Sequence, residues 1–234
     1  MDGGPQAAVA ARVPGAAGLG LLAPPAARRV PAALLADPGW TAERVAALGA
    51  RHRSADRRAL ATVWWYSASA VLLTPVAAGL ATGRPLSARL ADTTLYEVGG
   101  VLLGGVSSAP AGDDPAGELR ASLGSAVAAV AEAGGMRERP LWAVATDSLA
   151  GRLLALGRAL GDVAAVTALA APVAGAVGHP MPAPRYTDVG GTRFVRRASC
   201  CLLVRLPGQP MCTACPARAP EHRRLLLEDA AGLW

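Results

Sequence analysis

The sequence predicts a mainly α (α+β) fold: a helical body with a short β-hairpin and a small C-terminal cysteine-rich tail. Three observations carry this. Most of residues 38–177 divides into alanine- and leucine-rich stretches of helix length, and Leu149, Leu153, Leu156 and Leu160 recur at three- and four-residue steps. Residues 93–106 break that period: T-T-L-Y-E-V, two glycines and V-L-L-G-G-V read as two short strands about a turn. The P-M-P-A-P run at 180–184 is a stiff, extended connector to a stretch of different texture that holds all four cysteines.

In chain order, residues 1–37 contain five prolines among many glycines and alanines, and predict a poorly ordered arm with a short helix near 32–35. The body spans 38–184. Thr41 is placed to cap a first helix reaching residue 55, with Glu43 in its first turn, Val45 and Leu48 inward and Arg44, Arg51 and Arg53 outward. A more buried helix starts near Arg57, contains Trp64, Trp65 and Tyr66 as core, and is expected to break or kink near Pro75. After the 93–106 hairpin, Asp113, Asp114 and Pro115 open a helix that Gly134 and Gly135 end. Pro140 opens the next, 141–160, and a last apolar helix runs over 162–177. The tail, 185–234, is expected to hold extended segments at 192–195 and 201–206, a turn at Pro207 and Gly208, and a short helix at 220–230.

A hydrophobic share of 52% with 17% charged residues excludes general disorder. The net charge of +6 is carried by arginine alone, since the sequence has no lysine. Without a run of five arginines or a basic helix interleaved with aromatics, it gives no expectation of nucleic-acid binding. Residues 59–83 carry no charge and are long enough to span a bilayer. They are diluted by threonine, serine, glycine and Pro75, so a buried core helix is expected rather than a transmembrane segment. Residues 1–27 make a poor secretory signal, and the expected location is cytoplasmic.

The cysteines, Cys200, Cys201, Cys212 and Cys215, follow the spacing C-C-x10-C-x2-C. Cys212-x2-Cys215 is a loop that lets two sulfurs meet one metal, and Pro207, Gly208 and Pro210 allow the chain to return. Zinc ribbons favour two C-x2-C knuckles, whereas adjacent residues of an extended strand point to opposite faces. The spacing therefore favours an iron–sulfur cluster, and leaves open zinc and a redox or structural thiol set. His52, His179 and His222 are weak signals, with His179 the nearest candidate to the cysteines. No G-x-G-x-x-G fingerprint in a strand–turn–helix setting indicates bound nicotinamide or flavin.

The segment R-R-A-S-C-C-L-L-V-R-L-P-G from Arg196, followed by C-T-A-C-P from Cys212, resembles the C-terminal signature of the FhuF-like ferric siderophore reductases. The likeness is specific over about residues 185–216 and weaker upstream, where the Trp64–Tyr66 and Leu141–Trp142 stretches are compatible with the family's helical body. P-G-Q-P at 207–210 departs from a more glycine-rich turn. The resemblance implies a [2Fe–2S] cluster on the four cysteines and one-electron reduction of siderophore-bound Fe³⁺ to Fe²⁺. It also implies a ferric siderophore of the hydroxamate class as substrate, and a separate electron donor such as a ferredoxin or flavin reductase. The alternative is a non-catalytic protein whose four-cysteine site, with zinc or a cluster, is structural. Arg196, Arg197 and Arg205 are the nearest positive charges in sequence, either a solvated face or groups that steer substrate or donor and tune the cluster potential.

Overall fold

The computed structural model describes residues 4–232; residues 1–3 of the expected arm, and 233–234, lie outside the described residues. The rest of that arm is not poorly ordered. It forms helix α1 (Pro5–Ala10), strand β1 (Arg28–Pro31) and a 3₁₀ turn at Ala32–Ala36. Val9, Val13, Leu21, Val30 and Leu35 are buried in the common core. Its prolines and glycines serve as turn residues in a segment with enough valine and leucine to bury, which composition alone does not reveal. Gln6 shows how the segment docks. Its Nε2 donates to the carbonyls of Leu21 and Gly105, both at 2.8 Å, and its Oε1 accepts from the Ser107 N–H at 2.7 Å. Gly20 and Gly104 permit the close approach, because a Cβ on either would stand 2.6 Å from a backbone oxygen of the facing strand or turn.

Helix α2 (Pro38–His52) begins about one turn earlier than expected. Asp37, not Thr41, is its cap, accepting the N–H of Gly39 at 2.7 Å and of Trp40 at 3.1 Å. An aspartate followed by proline at the first helical position outcompetes a threonine already inside the turn. Thr41 is fully buried within the helix and Glu43 lies beyond its first turn. Helix α3 (Arg57–Ala81) is capped by Asp56 and continues through Pro75 without a break, so of the expected break or kink the break does not occur. An interior proline costs about 3 kcal/mol. Burial around α3 offsets it: Trp65 is fully enclosed and its Nε1 donates to the Leu141 carbonyl at 2.9 Å. This is the one helix among the described residues long and apolar enough to cross a membrane, and 67% of its most apolar window is buried inside the protein.

The expected hairpin is present as β2 (Thr93–Val98) and β3 (Val101–Ser107). Gly99 and Gly100 turn it with φ of 57° and 78°, as a two-residue hairpin loop requires. Strand β1 adds to the free edge of β2, giving an antiparallel sheet in the order β1-β2-β3 with Val30 opposite Leu95. Helix α4 (Pro115–Gly134) starts at the Asp114 cap and ends at Gly135, and α5 (Arg139–Leu160) follows, both close to expectation. The apolar helix expected over 162–177 is divided at Leu169 into α6 (Val163–Ala168) and α7 (Ala170–Val177). The α3–α5 pair is the most extensive helix packing in the fold, with Ser69 and Ser148 hydrogen-bonded across it at 2.8 Å.

The tail carries a second hairpin, β4 (Tyr186–Val189) with β5 (Thr192–Val195), and a closing helix α8 (Pro220–Gly232). Tyr186 donates its hydroxyl to the Ala150 carbonyl at 3.1 Å, and Arg158 reaches the Arg193 carbonyl at 3.0 Å, so α5 is the platform for the tail. Residues 201–206 are not extended as expected. Leu202 takes a left-handed φ of 61° and Leu203–Arg205 is a 3₁₀ turn.

Candidate metal centre

The chain leaves β5 at Val195 and turns over the middle of α5. There the carboxylate of Asp147 accepts the N–H of Ala198 at 2.7 Å and of Ser199 at 3.0 Å. Asp147 is buried, and burial pushes its carboxyl above the ordinary aspartate range; the two amides and Arg197 pull the other way. The clamp fixes the backbone immediately before the first cysteine.

Arg197 lies between this clamp and the thiols. Its side chain is only 8% exposed, with Nε 3.6 Å from Asp147 Oδ2, a charge contact too long for a hydrogen bond. The guanidinium carbon stands 4.8 Å over the Tyr66 ring, a cation–π contact from α3. Its Nη1 is 3.6 Å from both Cys201 Sγ and Cys212 Sγ. Burial opposes its charge, but Tyr66, Cys201 and Asp147 together hold it more firmly protonated than an ordinary arginine.

The four cysteines are free thiols. Cys201 and Cys215 are buried, Cys200 is half-buried and Cys212 is exposed. Cys200 Sγ and Cys215 Sγ are 3.7 Å apart, and the Leu202 N–H points at Cys200 Sγ from 3.4 Å. Leu202 itself is left-handed, a conformation a leucine rarely adopts. Burial pushes the Cys200 and Cys212 thiols up, while the Leu202 amide and Arg197 respectively oppose it. The Cys212–Cys215 knuckle is closed by the Cys215 N–H on the Cys212 carbonyl at 3.1 Å. Two arginines that sequence reasoning missed brace it: Arg218 Nε donates to the Cys212 carbonyl at 3.0 Å and Arg223 Nη1 to that of Cys215 at 3.3 Å.

The sulfurs thus stand as two pairs, one in direct contact and one joined through Arg197. Two thiolates on one tetrahedral ion at a metal–sulfur distance of about 2.3 Å lie roughly 3.8 Å apart. The Cys200–Cys215 separation of 3.7 Å meets that requirement. Among the described residues, no group of three or more histidine, cysteine or acidic side chains is arranged to hold a metal ion. Cys201 and Cys212 each stand 3.6 Å from the Arg197 guanidinium, so only the Cys200–Cys215 pair shows the spacing of two thiolates on one ion.

Of the three arginines singled out in sequence, only Arg197 reaches the thiols. Arg205 pairs with Asp56 at 2.8 Å and ties the tail to the start of α3. Arg196 is exposed, with its backbone N–H on the Arg185 carbonyl at 2.8 Å. His179 shares a cavity of about 850 Å³ with Trp142 and Ala198, and no cysteine lines it. Asp147 was not recognised in the sequence. It is the one charged residue between Arg139 and Arg152 on an otherwise apolar helix, and that isolation was the available signal.

Comparison with known proteins finds no matching family model, no matching curated protein and no matching solved structure.

Proposed function

We propose that this chain is a one-electron ferric-chelate reductase of the FhuF-like siderophore reductase type, acting in the cytoplasm. The observation that carries the reading is Arg197, buried under Tyr66 with Nη1 3.6 Å from the sulfurs of both Cys201 and Cys212. When bound, a [2Fe–2S] cluster on Cys200, Cys201, Cys212 and Cys215 supplies single electrons to a chelated Fe³⁺.

The chain's own residues set the conditions. Arg197 offsets negative charge on Cys201 and Cys212, which favours the reduced state and raises the potential. The Leu202 N–H does the same for Cys200. Asp147 holds Ala198 and Ser199, and so the position of the pair that follows. Siderophores hold Fe³⁺ through hard oxygens and Fe²⁺ far more weakly, so one electron releases the iron without an acid–base residue. A separate one-electron donor, such as a ferredoxin or flavin reductase, restores the electron spent. The packing of α3 inside the protein supports a role without a membrane span.

The second reading, a structural zinc, draws on the 3.7 Å Cys200–Cys215 pair alone. Anaerobic purification separates the two. About two irons and two sulfides per chain, with visible absorption bleached by dithionite and restored by a ferric siderophore, is the expected result. A colourless protein with one zinc per chain would sink the reductase reading.

A further inference from the structure

Beside the cysteine loop lies a cavity of about 260 Å³ lined by Arg185, Arg196, Arg197 and Arg223, with Ala214 and Pro216 of the cysteine knuckle in its wall. No acidic side chain lines it among the described residues. The nearby carboxylates are already engaged: Asp147 by Arg197, Asp188 by Arg193 at 2.8 Å, Glu228 by Arg224 at 2.9 Å. Arg197 turns to the sulfurs, and Arg223 spends Nη1 on the Cys215 and Pro216 carbonyls at 3.3 Å and 3.5 Å. The side chains of Arg185 and Arg196 have no hydrogen bond or ion pair among the described residues. Like charges gathered around one small cavity repel unless an anion stands between them.

We propose that this cavity binds the carboxylate groups of an anionic ferric chelate, with Arg185 and Arg196 as the principal contacts and Arg223 as the third. The inference rests on the reductase reading and moves its substrate class from the hydroxamates implied by the resemblance to chelates that carry free carboxylates. Guanidinium forks match carboxylates in a bidentate way that uncharged hydroxamates cannot exploit. The room suffices. A groove of about 690 Å³ shares Thr187, Arg196, Arg223 and Leu227 with the cavity. Its two carboxylates, Asp188 and Glu228, are each paired with an arginine, so a carboxylate arm fits inside and the bulk of a chelate outside. Its wall carries the peptide between Cys212 and Cys215, so a chelate held there lies against the loop that presents those two sulfurs.

Binding is best measured with redox-inert gallium(III) citrate, so that the result does not depend on any electron transfer. Equilibrium dialysis of the intact chain is expected to show saturable binding that weakens steeply as salt rises. Arg185→Gln and Arg196→Gln are each expected to weaken it about tenfold, the loss of one charge-assisted contact. Arg29→Gln, an equal charge change on β1, is expected to leave it unaltered. An uncharged gallium trihydroxamate is expected to bind weakly to all four proteins. The proposal is overturned if the Arg185→Gln/Arg196→Gln double variant binds gallium citrate as tightly as the parent, or if the uncharged chelate binds equally well. It is also overturned if the double variant changes only the rate of reduction by an acidic donor protein, which would assign the arginines to that partner. A colourless, zinc-bearing protein that still binds gallium citrate through these arginines would remove the reductase reading and leave the anion site standing.

Discussion

The carboxylate of Asp147 accepts the backbone N–H of Ala198 at 2.7 Å, so a residue midway along α5 fixes the chain 51 positions later, just before the first cysteine. Asp147→Asn keeps the shape but loses the charge and one of the two acceptors. It is expected to cost about 2–3 kcal/mol, because a buried Arg197 and the Ser199 amide are left poorly matched. Chemical denaturation would measure the loss. A variant as stable as the parent would show that the clamp contributes little.

Cys212→Ser removes the most exposed of the four thiols and is expected to abolish most iron binding while the helical body keeps its far-ultraviolet circular dichroism. Normal iron content in that variant would end the ligand assignment.

Arg197→Gln keeps a polar side chain beside Cys201 and Cys212 but withdraws the positive charge. The midpoint potential of the bound centre is expected to fall, since the reduced, more negative state loses its partner. Redox titration reads this directly, and an unmoved potential would reduce Arg197 to a packing role.

Gln6→Ala deletes three buried hydrogen bonds and leaves the Leu21 and Gly105 carbonyls and the Ser107 N–H without that partner. A loss of about 2–4 kcal/mol is expected. Hydrogen exchange over residues 4–37 should rise more than over α5, and uniform protection would contradict the docking role of Gln6.

Tyr186 has its hydroxyl pKa pushed up to about 12 from 10, chiefly by burial, with Arg193 opposing. The raised value means that folding favours the protonated phenol. Its contribution is fully present below pH 10 and is lost as pH rises through 12. Partial exposure screens the effect, leaving about 1 kcal/mol. Compared with Tyr186→Phe, the parent protein is expected to lose stability more steeply between pH 10 and 12, and parallel stability curves would refute this.

Local signals were legible in the sequence where a single residue type decides the outcome. Asp114 with Pro115, the Gly134–Gly135 stop and the Gly99–Gly100 turn each mark an element by their own conformational preference. What stayed hidden depends on partners far away in the chain. Prolines and glycines before residue 38 resemble a loose arm until β2 offers Leu95 to Val30 and Ser107 meets Gln6. Pro75 resembles a break until α5 and β3 enclose the helix around it. The cysteines were legible by spacing. Their setting was not, since Asp147, Tyr66, Arg218 and Arg223 join them only through tertiary folding, and left-handed Leu202 carries no mark in its residue type.

The three bonds of Gln6 span 15, 99 and 101 positions along the chain. During synthesis the opening helix therefore cannot find its seat until the ribosome has released the far strand of the hairpin. Until then Val9, Val13 and Leu21 stay uncovered, and a chaperone that shields apolar segments would find its target here early in production.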